Sequence, residues 1–163
     1  MSTHKVMQDI SVHIERMRIE HLPTVLCIEQ ASYSDPWSEA AFGKEIENTV
    51  ISMPVVATRN GAVAGYLVAW LVAGEAHIGN VAVALEHRRK GVGRQMLAWL
   101  LAHAATCGCT LCSLEVRVSN LAAQNLYAGF GFRAAALRKG YYTHPVEDAV
   151  VMLKTLNPVE EVD

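Results

Sequence analysis

No apolar run in this sequence approaches the about 18 residues a helix needs to cross a bilayer. A membrane-spanning helix is therefore not expected, and residues 1–8, with His4, Lys5 and Gln8 among them, are too polar to read as a secretory signal. Charge is also scarce. Lys, Arg, Asp and Glu make up 18% of the 163 residues and the formal net charge is -2, which argues against a surface built mainly to hold nucleic acid. That total leaves room for a local basic patch. There is no internal repeat, low-complexity tract or linker-like stretch, and an apolar fraction of 52% is far from the composition of disordered chains. The length suits one domain with a real core. The expected organisation is an N-terminal extension over 1–11, a single domain over 12–157 and a short tail over 158–163. The expected address is the cytoplasm, with no membrane and no direct nucleic-acid partner.

Cysteine is limited to 4 residues, three of them clustered as Cys107, Cys109 and Cys112, with Cys27 far away. Thiolates at such short spacing invite a zinc reading. If Cys109 and Cys112 both lie on one strand, however, their odd spacing sends them to opposite faces. Reduced core thiols, and no metal, are the expectation. Two phosphate-binding signatures are missing as well: no Gly-Lys-Ser or Gly-Lys-Thr of a Walker loop occurs, and the glycine pair at Gly91 and Gly93 lacks the third glycine of a dinucleotide fingerprint.

What is present is strong periodicity. Val12, Ile14 and Arg16 alternate as a short strand, and Leu22, Val25, Leu26, Ile28 and Glu29 recur as one helix face. Ser38 suits the N-cap of a second helix, with Pro36 discouraging helix just before it. Ile51 to Arg59 and Ala62 to Val72 flank Asn60-Gly61, a pair that tolerates the positive φ of a tight hairpin turn. A strand is expected from Glu75 to Ala84. A helix follows from Val92, with Met96, Leu97, Leu100, Leu101 and Ala104 on its apolar face and Gly108 at its stop. Strands over 109–117, 132–141 and 147–156 and a helix over 120–129 complete the reading. A strand, a glycine-containing turn, a helix and a strand form a βαβ unit, so the strands ending near Ala84 and Arg117 should run parallel within a mixed α/β sheet.

The turn inside that unit reads Arg88-Arg89-Lys90-Gly91-Val92-Gly93, followed by Arg94. Successive backbone N–H groups at a helix N-terminus can point into one concavity, and the glycines let phosphate oxygens approach without a Cβ in the way. The basic side chains supply compensating charge. By itself the string also fits an ordinary basic turn that starts a helix.

The ordered motifs Asn80-Val81-Ala82-Val83, Arg88-x-x-Gly91-x-Gly93, Leu114-Glu115-Val116-Arg117, Ser119-Asn120, Leu126-Tyr127 and Gly131-Phe132 resemble the GCN5-related N-acetyltransferase (GNAT) superfamily. Asp35-Pro36-Trp37-Ser38, the run from Leu114 to Asn120 and the tail Arg138-x-x-Tyr141-Tyr142 with Glu147-Asp148-Ala149 are similar to its bacterial ribosomal-protein-alanine branch (RimI type). The resemblance implies a twisted mixed sheet flanked by helices and splayed between two parallel strands, with acetyl-CoA in the opening. It implies that the backbone at Val81, Ala82 and Val83 holds the pantetheine arm, that Arg88, Arg89, Lys90, Gly91, Val92, Gly93 and Arg94 take the pyrophosphate, and that Asn120 adds a polar contact.

Acetyl transfer to an amine needs a proton acceptor, a site for the developing oxyanion and a proton for the departing thiolate. Glu115 in an apolar strand suits proton removal, directly or through water, and the resemblance implies a general base there; the alternative is an ion pair with Arg117 on the same strand face. The resemblance also makes Tyr127 the general acid, where a tyrosine at helical spacing otherwise reads as core packing. A backbone N–H near Val81 is the expected oxyanion donor. Glu75 and His77 share a strand face and can relay a proton through water; Glu75 is also expected to contact the acceptor, and Trp37, Tyr141 and Tyr142, with the segment to Glu147, are expected to wall it. An α-amine titrates near ~7.7 against ~10.4 for lysine, so an N-terminal amine suits a single glutamate base. The implied acceptor is the N-terminal alanine of ribosomal protein S18. The sequence departs from the branch in additional N-terminal residues, in Gly140 and in the connection Thr143-His144-Pro145-Val146, which puts peptide selectivity rather than acetyl transfer in question. A small-amine acetyltransferase and a non-catalytic acyl-CoA-binding module are the other readings.

Overall fold

The computed structural model describes residues 11–158. The extension over 1–11 and the tail over 158–163 therefore lie, apart from residues 11 and 158, outside the described residues. Within them, strands β1 (His13–Arg16), β2 (Ser52–Arg59), β3 (Ala62–Val72), β4 (Glu75–Val83), β5 (Leu111–Arg117), β6 (Arg133–Thr143) and β7 (Val146–Thr155) form one sheet in the order β1-β2-β3-β4-β5-β7-β6. Helices α1 (Leu22–Ser32) and α2 (Glu39–Glu47) pack with one apolar cluster, and α3 (Val92–Thr106) and α4 (Leu121–Gly129) contribute to the other. No helix among the described residues is long and apolar enough to cross a membrane.

Local chemistry accounts for most of these elements. The Ser38 side chain accepts a hydrogen bond from the Ala41 N–H at 3.1 Å and so caps α2. Asn60 and Gly61 sit at φ 52 and 79, the left-handed geometry of a two-residue hairpin turn between β2 and β3. A second such turn, Ala73-Gly74, joins β3 to β4 and carries no comparable signature in Ala73. The stripe Val92, Met96, Leu97, Leu100, Leu101 and Ala104 is buried as its spacing predicts. Each fully buried leucine or methionine there contributes about 1.5–3 kcal/mol relative to exposure. The helix ends at Thr106, with Cys107 as its C-cap and Gly108 just beyond at φ 82.

The cysteines behave differently from their spacing. Strand β5 begins at Leu111, after Cys109, so strict alternation does not relate the pair, and Cys109 and Cys112 are buried in the same core cluster. Cys27 and Cys107 are exposed, so only two of the four are core thiols, and all four are free.

Two irregularities in pairing create the site. Strands β4 and β5 run parallel, but their ladder covers only Glu75↔Leu111 to Ile78↔Leu114. Beyond it β4 stays on β3 as far as Val83↔Gly65, and β5 stays on β7 as far as Arg117↔Ala149, so the sheet opens between them. At the start of the opening Gly79 is bulged: Val68 pairs with Asn80 and Ala69 with Ile78, leaving Gly79 without a partner. The extra residue switches faces, so that Ala76 and Ile78 join the cluster containing α3 while Ala82 joins the one containing α1 and α2. A Cβ at Gly79 would lie 2.1 Å from the Trp70 ring, so only glycine lets the indole lie against the bulge.

Candidate active site

The opening between β4 and β5 holds a cavity of about 560 Å³. Gly79, Asn80 and Val81 form one flank and Leu114, Glu115, Val116 and Arg117 the other. Asn120 and Tyr127 of the α4 region line it as well, and Trp37, Tyr141 and Tyr142 wall it from the α1–α2 connection and the β6–β7 hairpin. Val81, His77, Glu115, Tyr127, Trp37, Tyr141 and Tyr142, all expected from sequence at the reaction centre or acceptor site, are thus brought to one space.

Glu115 is only 10% exposed at its side chain and is held at both oxygens. Its Oε2 lies 2.9 Å from His77 Nε2 and its Oε1 3.7 Å from an Arg138 guanidinium nitrogen. The expected alternative pairing with Arg117 is not made: Arg117 instead donates to Glu147 at 3.2 Å, and to the backbone oxygens of His144 and Pro145, while its guanidinium lies 4.2 Å from the Tyr142 ring centroid. Glu147 also accepts the Ser119 N–H at 2.8 Å. Those hydrogen bonds hold its carboxyl below the ordinary range and pin the hairpin to the end of β5.

Tyr127 is 6% exposed and packs edge-on against Phe132. Burial, with Tyr142 and Cys112 nearby, pushes its phenol well above the ordinary value of 10.0, so it keeps its proton at neutral pH. Burial also raises Tyr142, to about 12, and Tyr141. Asn120 serves first as the N-cap of α4, its Oδ1 accepting from Ala123 N at 3.1 Å, which leaves its amide nitrogen for any further contact.

The basic loop lies at the N-terminus of α3. Arg89 and Gly91 take φ of 60 and 81, and Gly91 is the N-cap with no side chain capping the helix. The first-turn N–H groups of a helix have no intrahelical partner, so Val92 and Gly93 present donors beside the left-handed turn. Arg88 is partly committed elsewhere, donating to the Val83 oxygen at 3.1 Å and to Ser32 at 3.3 Å, and Lys90 donates to the Glu86 oxygen at 3.1 Å. Ala82, Val83 and the loop lie outside the cavity lining, along its approach from the end of β4.

Glu75 is a correction. It sits at the exposed start of β4, beside the Ala73-Gly74 turn and inside the laddered stretch, and does not line the cavity. His77, two residues closer to the opening, does.

Among the cavity-lining residues that carried no functional assignment from sequence, Glu29, Tyr33 and Trp70 hold the site in place. Glu29, 1% exposed, accepts from the Trp37 N–H at 3.0 Å, from Asn80 at 2.9 Å and from the Tyr66 hydroxyl. Its signal was a carboxylate among the apolar positions of α1. The Tyr33 hydroxyl donates to the Val81 oxygen, at the backbone expected to hold pantetheine. Trp70 stacks between Trp37 and His77, with centroid separations of 6.2 and 5.7 Å. Nothing local marked Tyr33 or Trp70.

The sequence profile of the Acetyltransferase (GNAT) family matches residues 22–132. The chain belongs to the GNAT family. A Bacillus subtilis protein is 35% identical over 144 residues, 88% of this chain and 95% of its own length. The [ribosomal protein bS18]-alanine N-acetyltransferase of Escherichia coli is 35% identical over 141 residues, 85% of this chain and 94% of its own. The crystal structure of the Escherichia coli ribosomal-protein-S18-alanine N-acetyltransferase superposes with a TM-score of 0.84 at 33% identity, over 93% of this chain and 97% of that one. The splayed mixed sheet and its opening are thus a GNAT architecture, as the motifs implied.

Proposed function

We propose that this chain acetylates a protein N-terminal α-amine, the alanine of ribosomal protein bS18, from acetyl-CoA, by direct attack with both substrates bound, in the cytoplasm. The observation that carries the reading is the convergence of Glu115 and Tyr127 on the cavity between β4 and β5. The bS18 acceptor is drawn from the names of the bacterial relatives.

The residues present fit acetyl-CoA. Uncapped N–H donors at the start of α3, with Arg89 exposed beside them, suit a pyrophosphate, and the backbone of Val81 to Val83 runs from that helix start into the cavity. When bound, acetyl-CoA supplies the thioester whose acetyl group the amine takes. Glu115, held between His77 and Arg138, accepts a proton from the incoming ammonium. A Val81 backbone N–H is the donor assigned to the developing oxyanion. Tyr127 donates its phenolic proton at the sulfur and recovers one from the acetylated nitrogen, so one proton net leaves per turnover. Trp37, Tyr141 and Tyr142 border the extended terminus.

Mass spectrometry of bS18-like peptides incubated with acetyl-CoA tests the reading, alongside a panel of small amines. Acetylation of the alanine terminus is expected, with Glu115→Gln slower by about 10²-fold or more. Faster turnover of a small amine than of any peptide would overturn the acceptor, and an unimpaired Glu115→Gln would overturn the base.

A further inference from the structure

A carboxylate that is nine-tenths buried cannot pass its proton to bulk water unaided, and Glu115 must clear one proton per turnover if it is the base. The structure supplies an exit. His77 Nε2 touches Glu115 Oε2 at 2.9 Å, and the far ring nitrogen, Nδ1, lies 2.9 Å from Ser113 Oγ. His77 and Ser113 are cross-strand partners in the short parallel ladder, just before the strands part. The imidazole side chain is 34% exposed against 10% for Glu115, so it bridges the buried oxygen and solvent.

The ring is fixed in its plane. It stacks on Trp70 with an interplanar angle of 18°, and Trp70 is held from behind by Glu45, whose Oε2 accepts the indole N–H at 2.7 Å. The charged and titratable groups facing the pair are Glu115 itself, Arg138 of β6 against its other oxygen, and Tyr141 and Tyr142 of β6, which interact with Glu115; Glu45 of α2 lies beyond the indole, and Glu75 lies on His77's own strand.

We propose that His77 and Ser113 form a proton relay that discharges Glu115, a positioning and proton-transfer device acting through the base; the inference rests on Glu115 being that base. In the tautomer that receives the proton, Nε2 is unprotonated towards Glu115 and the Nδ1–H donates to Ser113 Oγ. Once Glu115 has taken the ammonium proton, its O–H donates to Nε2, that proton transfers to the ring, and the Nδ1 proton passes to Ser113 Oγ as the Ser113 hydroxyl proton passes to water. One N–H bond breaks at the substrate, one O–H bond forms and breaks at Glu115, one N–H forms at Nε2 as another breaks at Nδ1, and exchange with solvent returns the ring from the Nε2–H to the Nδ1–H tautomer. No redox partner is needed.

Steady-state kinetics of His77→Gln, His77→Ala and Ser113→Ala on a bS18-like peptide test this, with Glu115→Gln in parallel and thermal melts to establish folding. Glutamine retains a donor to Glu115 but cannot pass a proton through. His77→Gln is expected to lower kcat by about 10-fold or more while leaving the peptide KM unchanged, and to make kcat rise with buffer concentration, which the wild type does not show. Imidazole is expected to restore His77→Ala several-fold, and Ser113→Ala to fall between wild type and His77→Gln. An unchanged kcat in His77→Gln, or a loss that neither buffer nor imidazole restores, overturns the relay. If His77→Gln fails to fold, the buffer dependence of Ser113→Ala decides in the same way. A slow Glu115→Gln with a normal His77→Gln removes the relay alone, whereas a normal Glu115→Gln removes the base assignment.

Discussion

The Tyr127 side chain shows how one residue can be ambiguous in sequence and informative in structure. Its helical spacing predicted core packing while the family resemblance implied a general acid, and it does pack on Phe132. Yet it also lines the cavity, and no hydrogen bond engages its hydroxyl among the described residues. A buried phenol that holds its proton and has no competing partner is free to donate at the reacting sulfur. Tyr127→Phe removes only that hydroxyl. A fall in kcat of about 10²-fold is expected, with the peptide KM changed by less than about two-fold. Steady-state kinetics checks it; a kcat within a factor of two would leave Tyr127 as packing. Glu115 was placed in a strand by periodicity, but its partners were not legible. His77 and Arg138 reach it from β4 and β6, separated in sequence by 60 residues or so of helix and strand, and only the sheet order brings them together. The charge of Arg117 was visible and its destination was not, because Glu147 arrives from the next hairpin.

Among the elements, α3 was the most legible: a clean apolar stripe, a glycine-rich start and a glycine stop all agree with local rules. Its start also carries a test. Gly91 occupies the left-handed region at φ 81, where a β-branched residue costs about 1–2 kcal/mol and would tilt the following N–H groups. Gly91→Val is expected to raise the KM for acetyl-CoA by about 10-fold and to leave the peptide KM unchanged. Calorimetric titration with CoA checks the same point without turnover; unaltered affinity would detach the loop from the pyrophosphate. The β6–β7 hairpin was the least legible. Its strands were expected, but β7 inserts between β5 and β6, and that order follows from which edge remains open after β5, a tertiary matter. Glu147 ties this hairpin to Ser119 and Arg117. Glu147→Ala is expected to raise the peptide KM several-fold with little change for acetyl-CoA, since Tyr141 and Tyr142 then lose their anchor. Because the Glu147 pKa is lowered, this anchoring is present above the ordinary carboxylate value of 4.5 and is lost as pH falls through the lowered one, so the wild-type peptide KM should rise towards that of the variant only below pH 4.5.

Across the whole molecule, one carboxylate joins the parts that only the complete fold brings together. Glu29 stands on α1 and takes hydrogen bonds from the α1–α2 connection at Trp37, from β3 at Tyr66 and from the bulged flank of β4 at Asn80. Sequence reading saw the strands and the parallel βαβ unit, but neither the Gly79 bulge nor this junction, because a bulge is a mismatch between two strands and has no signature in one. Desolvation raises the Glu29 pKa above its ordinary 4.5, outweighing the hydrogen bonds from Trp37 and Asn80 that lower it. The folded protein therefore binds this proton more tightly than the unfolded chain. Its contribution is fully present below 4.5 and is lost as pH rises through the higher folded value. Glu29→Gln keeps the shape and removes the titration. Melting temperatures measured from mild acid to neutral pH should therefore fall with rising pH more steeply in the wild type than in Glu29→Gln, whatever the offset between the two curves. The offset itself reports the lost charge-assisted hydrogen bonds; the difference in slope reports the buried proton. Parallel curves would mean that Glu29 does not titrate differently on folding, and its place at the junction would then be one of hydrogen bonding alone.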